Sequence, residues 1–397
     1  MDQLHSDREQ RFIDLAAELA AEFAERAPQY DEKASFPYEN YARLRESGYS
    51  IATIPEELGG SGATILQRVK AQERLAEGCG ATSLAINMHF NALGLLVDIW
   101  RKFKDPRVEA TLRQIADGRL ICGGSASEPD NAVPVLRPRA IARRVDGGWT
   151  VSGRKIFGTQ SIALDLYFSE ATWVDAPQGE SIITFVIPPK ATPGLVFKDD
   201  WHTMGMRATA SRSTELKDAF VPDSALMLQR PTFTRGGVTL LFFRAAFTIG
   251  APYIGIALAA RNFVVDFMRE RPRFPLKKPM SHLPSVYNKV GEMDMLIEGA
   301  RAAMWKAAAE ADVDEPQNWA VKSCAARMIA IENSTRVVDL ALRAVGGSSY
   351  FKRLPLERYF RDARAGLYHP PDSDETLEML GRAAFGIPPS DEDALWA

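Results

Sequence analysis

DGGWTVSGRKIFGTQ, residues 146–160, carries the strongest indication of the fold. It is rich in β-branched and aromatic residues and is punctuated by glycine, which is typical of a β-strand bounded by turns. Similar short runs, separated by Gly, Pro and Asp, lie at 165–174, 181–189, 194–198 and 213–222. The middle of the chain is therefore predicted to be a small β domain.

Helical patterns flank this β region on both sides. On the N-terminal side, apolar residues recur at helical spacing across 9–28, with Glu and Arg on the other face, and further helices are predicted at 36–47, 64–78 and 82–103. On the C-terminal side, predicted helices cover 238–271, 284–311, 317–344, 355–368 and 373–384. We expect a mostly α, α+β chain with an N-terminal helical domain (1–117), a central β-barrel or sandwich domain (118–235) and a C-terminal four-helix bundle (236–397).

Composition excludes several classes of function. The chain has 48 Lys and Arg against 51 Asp and Glu, a net charge of −3, which argues against a nucleic-acid partner. The three cysteines, Cys79, Cys122 and Cys324, are far apart, so neither a disulfide framework nor a metal site is expected. Such sparse cysteine usage suits a reducing cytoplasm.

No apolar run reaches the length of a membrane span. The most apolar stretch, 240–265, is interrupted by Arg244, Gly250, Pro252 and Gly255. The first residues, MDQLHSDREQ, are polar and acidic, unlike a secretory signal. We therefore expect a cytoplasmic protein without a membrane partner.

Five motifs, in this order, resemble the acyl-CoA dehydrogenase superfamily of flavoproteins. They are IPEELGGSG (54–62), GGSASEP (123–129), DGGWTVSGRKIFGTQ (146–160), WHTMGMRATAS (201–211) with DAFVP (218–222), and RAVGGSSYFKRLPLERYFRDAR (343–364). The resemblance runs from about residue 10 to 385. It implies the three-domain fold above, an oxidoreductase with bound flavin, and a homodimer or homotetramer.

The resemblance also implies which residues contact the flavin ring. It places Ser127 at the pyrimidine edge, Phe157 over one face with Gly158 beside it, and Thr159 near the central ring nitrogen. A flavin needs such flat apolar faces and a few hydrogen-bond donors at its polar edges. The alternative is that Ser127, Phe157 and Thr159 are ordinary strand residues.

For the phosphate side of the cofactor, the resemblance implies Gly346, Gly347, Arg271 and Phe274. The glycine pair approaches the cofactor across a dimer interface in the family, although a Gly pair after a long helix can also be a plain helix stop. Two family positions differ here, because Pro275 replaces a Gly and Arg343 a Gln. FMN is therefore a live alternative to FAD.

The carboxylate base of an acyl-CoA dehydrogenase is missing. That reaction removes an acidic α-proton, which requires a carboxylate close to the substrate. The family position for this Glu holds Pro370, and the other family location, between Asp223 and Asp266, contains no Asp or Glu. Ala132, Val133 and Pro134 also replace a Gly-Ser-Asp that contacts CoA in the family, so CoA binding is in doubt.

Two histidines stand in place of the carboxylate. His369 follows the RDAR helix, and His89 lies on the apolar helix at 82–103. This pattern resembles the two-component monooxygenase branch of the superfamily, which takes reduced flavin from a separate reductase. An imidazole can hold or move a proton near neutral pH. The alternatives are a core histidine at 89 and a helix-dipole partner at 369.

These features favour a flavin-dependent monooxygenase acting on a small aromatic or amine substrate, with His369 catalytic and His89 assisting. Arg207 and Arg244 are candidate contacts for an anionic substrate. One alternative is an acyl-CoA dehydrogenase whose base is displaced to the loop after His369, although Asp372 and Glu375 there are better explained as a capping box. Another is a non-catalytic flavin-binding protein.

Overall fold

The computed structural model describes residues 2–132, 134–233, 247–275, 277–314 and 316–387. The N-terminal part is helical, with α1 Asp2–Lys33, α2 Tyr38–Glu46, α3 Ile65–Gly78, α4 Gly80–Phe103 and α5 Pro106–Gly118. Helix α3 begins at a capping box, because Thr64 Oγ1 accepts the backbone N–H of Gln67 and the Gln67 side chain accepts that of Thr64. Helix α5, which was not predicted, begins at Pro106 after the N-cap Asp105.

The central part is one eight-stranded sheet. Its strands are β1 Cys122–Gly124, β2 Ile141–Val145, β3 Gly148–Gly158, β4 Leu166–Trp173, β5 Ser181–Ile187, β6 Leu195–Phe197, β7 Arg212–Pro222 and β8 Leu226–Pro231. The order is β6-β7-β3-β2-β4-β5-β8, and β1 pairs with β4 in parallel. Strand β3, which comes from the 146–160 motif, pairs antiparallel with β7 and has a register irregularity between Lys155 and Gly158. This irregularity lies directly before Thr159.

The C-terminal part returns to helices, namely α6 Gly250–Glu270, α7 Pro284–Val313, α8 Pro316–Val345, α9 Leu356–Arg364 and α10 Ser373–Ala384. Helices α6, α7 and α8 pack against one another, and α6 also packs against α3. The stretch Phe247–Glu270 is long and apolar enough to cross a membrane, but 78% of its most apolar window is buried inside the protein. It is therefore packed as the central helix of this bundle.

Two glycines show how closely the three parts meet. A Cβ on Gly255 would lie 2.1 Å from the carbonyl oxygen of Glu73, so α6 crosses α3 in backbone contact. A Cβ on Gly205 would lie 2.1 Å from the carbonyl oxygen of Arg361, which docks the loop before β7 onto α9. The backbone N–H of Met206 donates to Asp362 at 2.6 Å beside this contact. Helix α9 is thereby held against the loop that precedes β7.

Candidate functional site

His369 lies in the turn between α9 and α10 and is bonded to the first bundle helix. Its Nε2 lies 2.8 Å from the hydroxyl of Tyr253, whose ring is fully buried on α6. Burial, together with the positive charge of Arg327, lowers the pKa of His369 to about 4, although part of the imidazole remains exposed. Burial raises the pKa of Tyr253 well above its usual 10. Both groups are therefore neutral near pH 7.

The turn that carries His369 is fixed on both sides. Arg327 of α8 donates from Nη1 to the carbonyl oxygen of Pro370 at 2.7 Å and from Nη2 to that of Pro371. Helix α10 then begins at the predicted capping box, in which Asp372 accepts the N–H of Glu375 at 3.0 Å and Glu375 accepts that of Asp372 at 2.8 Å. The acids nearest to His369 along the chain thus cap a helix.

His89 is enclosed in the core of the N-terminal domain. The backbone N–H of Cys122 donates to its Nδ1 at 2.9 Å, which leaves Nε2 to donate to the carbonyl oxygen of Ser50 at 2.8 Å. The ring is fully buried, and this burial lowers its pKa to about 4. With both nitrogens engaged by backbone groups, His89 joins α4 to β1 in the geometry of a core histidine, and it makes no contact with His369.

The residues expected to contact the flavin ring gather at the end of β3. Phe157 has φ +57° and is 60% exposed, and its ring lies edge-on to that of Trp201 with centroids 6.2 Å apart. Thr159 Oγ1 lies 2.9 Å from Ser211 Oγ, which in turn lies 2.7 Å from Thr209 Oγ1. An exposed aromatic face and a chain of hydroxyls therefore adjoin.

Ser127 and Gly158 complete this region through backbone contacts. The carbonyl oxygen of Ser127 accepts the N–H of Ile156 at 2.9 Å, and its own N–H donates to Ser125 Oγ at 3.1 Å. Ser127 lies half-buried beside β3. A Cβ on Gly158 would lie 2.8 Å from the carbonyl oxygen of Arg212, so this glycine is required by the close approach of β7.

The residues expected at the phosphate side are also brought together. Arg271 donates to the carbonyl oxygen of Val345 at 3.3 Å and to Ser348 Oγ at 3.0 Å, on either side of the glycine pair. Gly346 has φ +71°, and a Cβ added to either glycine of the pair would meet nothing within 4 Å. Phe274 is 97% exposed and so points away from its own chain.

The residues present fit a flavin. Phe157 offers an exposed apolar face, Thr159 and Ser211 offer hydroxyls, and the open glycine pair beside Arg271 leaves room for a phosphate approached by backbone and a guanidinium. Among the residues that the structure describes, no group of three or more His, Cys, Asp or Glu could hold a metal ion.

The structure describes one of the two arginines predicted to contact an anionic substrate. Arg244 lies outside the described residues. Arg207 is half-buried and lines a narrow cleft with Arg358 and Asp362, whereas His369 lines a separate narrow cleft with no wall residue in common. Arg207 therefore faces a cleft between α1, the start of α4 and α9, and the structure does not bring it to His369.

The comparisons with known proteins agree with this geometry. Family models for the N-terminal, middle and C-terminal domains of acyl-CoA dehydrogenases match residues 6–102, 124–219 and 247–370. A curated relative, the putative acyl-CoA dehydrogenase YdbM of Bacillus subtilis (strain 168), is 33% identical over 388 residues, or 96% of this chain and 98% of the relative. The chain belongs to the acyl-CoA dehydrogenase family. The predictions of family, three-part fold and flavoprotein class are thereby confirmed.

Several solved structures of proteins with different names are similar to this chain. KijD3 in complex with FMN and a dTDP-linked amino-keto sugar has a TM-score of 0.87 at 24% identity, covering 98% of this chain and 96% of that one. Butyryl-CoA dehydrogenase from Megasphaera elsdenii has a TM-score of 0.85 at 24% identity, covering 96% and 98%. Methanesulfinate monooxygenase MsuC from Pseudomonas fluorescens has a TM-score of 0.83 at 24% identity, covering 94% and 96%. These likenesses show the fold, which dehydrogenases and monooxygenases share.

Sequence reasoning missed the partners of the predicted residues. Tyr253 is the single polar ring in the apolar stretch GAPYIGIALAA, and Arg327 is one of several arginines in its helix, so neither stands out by spacing. Trp201 and Ser211 are the first and last residues of the motif WHTMGMRATAS (201–211), but the sequence assigned neither of them a role. The contacts of Tyr253 and Arg327 are with residues distant in sequence. The one sequence signal for them is an isolated polar residue in an apolar helix.

Proposed function

We propose that this acyl-CoA dehydrogenase family member is a flavin-dependent monooxygenase in which His369, paired with Tyr253, is the catalytic group. The observation that supports the proposal is the neutral imidazole, 2.8 Å from a buried tyrosine hydroxyl, in the segment where the family carries its carboxylate. A neutral imidazole can donate or accept a proton without placing a charge in an apolar site. Oxygen activation needs such a group together with exclusion of water.

The same geometry disfavours the desaturation of a CoA thioester. An imidazole whose pKa is lowered to about 4 by burial and by Arg327 is a weak base for an acidic α-proton. The acids that follow it, Asp372 and Glu375, each accept the other's backbone N–H at the start of α10. Moving either carboxylate to a substrate would break the cap, which costs about 1 kcal/mol.

The residues that would hold the cofactor have distinct tasks. Phe157 would cover one face of the ring, Thr159 and Ser127 would meet its polar edge, and Arg271 with the glycine pair would take the phosphate side. Reduced flavin, when bound there, supplies the electrons that activate molecular oxygen. His369 would then hold or move a proton at Nε2, with Tyr253 fixing the orientation of the ring. His89, whose two ring nitrogens are bonded to backbone groups, would hold β1 against α4 and take no part in proton transfer.

We further propose a small aromatic or amine substrate, a separate flavin reductase as partner, a homo-oligomer and a cytoplasmic location. A substrate with a neutral nucleophilic ring or nitrogen suits a neutral acid–base group. The exposed Phe274 and the open glycine pair support an assembly in which a second copy completes the phosphate side. FMN and FAD both fit the residues described.

The test measures how electrons are used. The protein is supplied with reduced FMN or FAD from an added reductase, oxygen and a panel of phenols, indoles and amines, and product and hydrogen peroxide are both quantified. We expect product in the wild type, and in His369→Ala a rise in hydrogen peroxide with a loss of product. His282→Ala, in a short helix outside the site, is the matched control. Equal coupling in His369→Ala and wild type would contradict the assignment of His369.

A second candidate function is favoured by one observation. The relative that is 33% identical bears the name of a putative acyl-CoA dehydrogenase. That function predicts that some acyl-CoA bleaches the bound flavin when oxygen is excluded. A panel of short to long acyl-CoA thioesters, mixed anaerobically with the holoenzyme, decides between them, because bleaching by a thioester contradicts the monooxygenase proposal.

A further inference from the structure

Arg327 is a buried cation at the back of the His369 turn. Its side chain is 2% exposed, and its two terminal nitrogens donate to the carbonyl oxygens of Pro370 and Pro371. Within the described residues it forms no ion pair with a carboxylate, and its Nε has no hydrogen-bond partner. Its hydrogen-bonded partners are therefore two peptide carbonyls, and the carboxylates of Asp372 and Glu375 act on it without direct contact.

Burial of a guanidinium in this way is costly. A charge taken out of water needs an opposite charge or a full set of hydrogen bonds, and an apolar side chain of similar volume usually serves stability better. Arg327 meets only part of that requirement. Its presence therefore points to a task other than stability, and His369, on which its charge acts, lines the same cleft.

The titratable and charged groups around His369 come from four elements. Tyr253 on α6 and Arg327 on α8 act on it directly. Asp362 on α9 acts on Tyr253, and Asp372 with Glu375 at the start of α10 act on Arg327. The two acids of α10 are partly exposed and cap their own helix. Arg327 is the buried charge of this set that acts on His369 directly, and after burial it is the second cause that lowers the pKa of the imidazole.

We propose that Arg327 is a positioning residue for His369, which pins the Pro370–Pro371 turn to α8 and disfavours a second positive charge on the imidazole. Two hydrogen bonds to consecutive carbonyls fix the height and direction of the turn, as a planar guanidinium can and an ammonium cannot. Together with burial, the charge disfavours protonation of the imidazole, so Nε2 stays paired with Tyr253. The inference deepens the proposed function, on which it rests for its catalytic meaning.

The experiment follows the titration of His369 by NMR in the full chain, with ¹⁵N-labelled histidine and assignment by the signal lost in His369→Gln. Arg327→Met removes charge and donors, Arg327→Gln removes the charge but keeps a donor, and Arg327→Lys keeps the charge. The control is Arg336→Met on the same helix, where the exposed Arg336 pairs with Glu292.

We expect the midpoint for His369 to rise by about one pH unit in Arg327→Met and Arg327→Gln, as for removal of a nearby like charge. It should stay within a few tenths of a unit of wild type in Arg327→Lys and Arg336→Met. In the coupled oxygen assay, Arg327→Gln should lose more product at pH 5 than at pH 8, whereas a merely structural defect would lower both alike.

An unchanged His369 midpoint in both uncharged variants would overturn the proposal. If Arg327→Met does not fold, Arg327→Gln gives the same reading, because its amide still bonds a carbonyl. The titration requires no flavin, oxygen or substrate. Failure of the positioning role therefore appears in the midpoint, and failure of the monooxygenase proposal appears in the product and acyl-CoA assays.

Discussion

The hydroxyl of Tyr253 and Nε2 of His369 lie 2.8 Å apart, although 116 positions separate them in the chain. The bond joins the central bundle helix to the turn after α9. Burial holds both groups in their neutral forms, since it lowers the pKa of His369 to about 4 and raises that of Tyr253. A neutral pair can pass a proton in either direction, which neither a carboxylate nor an imidazolium beside a phenol would do as readily.

Removing the tyrosine hydroxyl tests this pair. Tyr253→Phe keeps the buried ring, so we expect a folded protein whose free energy of unfolding falls by only about 1 kcal/mol, the value of one hydrogen bond. Product formation should fall by roughly 10-fold or more, because His369 loses its orienting partner. The measurement is kcat for coupled turnover beside urea unfolding. Wild-type kcat in a folded Tyr253→Phe protein would show that the hydrogen bond has no catalytic part.

Asp362 predicts a pH dependence of stability. Burial raises its pKa from an ordinary value near 3.8 to about 6, and the folded state therefore binds the proton more tightly than the unfolded state. The protonated Asp362 carboxyl therefore adds to the free energy of unfolding. This stabilisation, on the order of 3 kcal/mol, is fully present below about pH 4 and is lost as pH rises through 6. Asp362→Asn keeps an acceptor for the Met206 N–H. We expect the variant to gain stability over wild type between pH 4.5 and 7.5, and a constant difference would refute the assignment.

His89 predicts a pH dependence of stability with the opposite sign. Burial lowers its pKa from 6.5 to about 4, so the folded state favours the neutral ring. The neutral ring therefore adds to the free energy of unfolding above about pH 6.5. This stabilisation, on the order of 3 kcal/mol, is lost as pH falls toward 4. His89→Gln supplies an acceptor and a donor without a titrating group. Its free energy of unfolding, measured in urea, should fall less between pH 7 and 4.5 than that of wild type, with His282→Gln as the exposed control.

A buried ion pair between β3 and the segment that follows β1 gives a stability prediction. Lys155 Nζ donates to Glu128 at 2.7 Å with both side chains almost fully buried, and Glu128 also accepts the backbone N–H of Ala140 at 2.9 Å. Burial alone would raise the pKa of Glu128, but the Lys155 charge and these hydrogen bonds hold it below its usual value. Lys155→Met should therefore cost about 3–5 kcal/mol, because it leaves a buried carboxylate unpaired.

The double variant Glu128→Gln with Lys155→Met is the control for that pair. It removes both charges while the amide oxygen still accepts the backbone N–H, so part of the lost stability should return. The two unfolding midpoints in urea are compared directly. A double variant less stable than Lys155→Met alone would mean that the carboxylate is stabilised by the backbone and not by the lysine.

Local patterns in the sequence determined the elements and the family. Apolar periodicity, β-rich runs and capping residues act within a few positions, which is why the helices other than α5, the strand of the 146–160 motif and the Asp372–Glu375 cap were predictable. The ordered motifs also predicted the residues that gather near Phe157 and near the glycine pair. The loss of the family carboxylate was visible in the sequence as Pro370.

Tertiary structure alone decided what those residues can do. His89 and His369 are both histidines in apolar surroundings. Backbone groups bond both ring nitrogens of His89. His369 instead contacts the hydroxyl of Tyr253, and the buried Arg327 bonds to the turn that follows it. Arg207, assigned by sequence to a substrate, faces a different cleft. The reason is physical, because such pairings depend on how α6, α8 and the turn after α9 cross in space. Periodicity predicts that each helix forms, but the side chains that meet are set by the packing of distant segments.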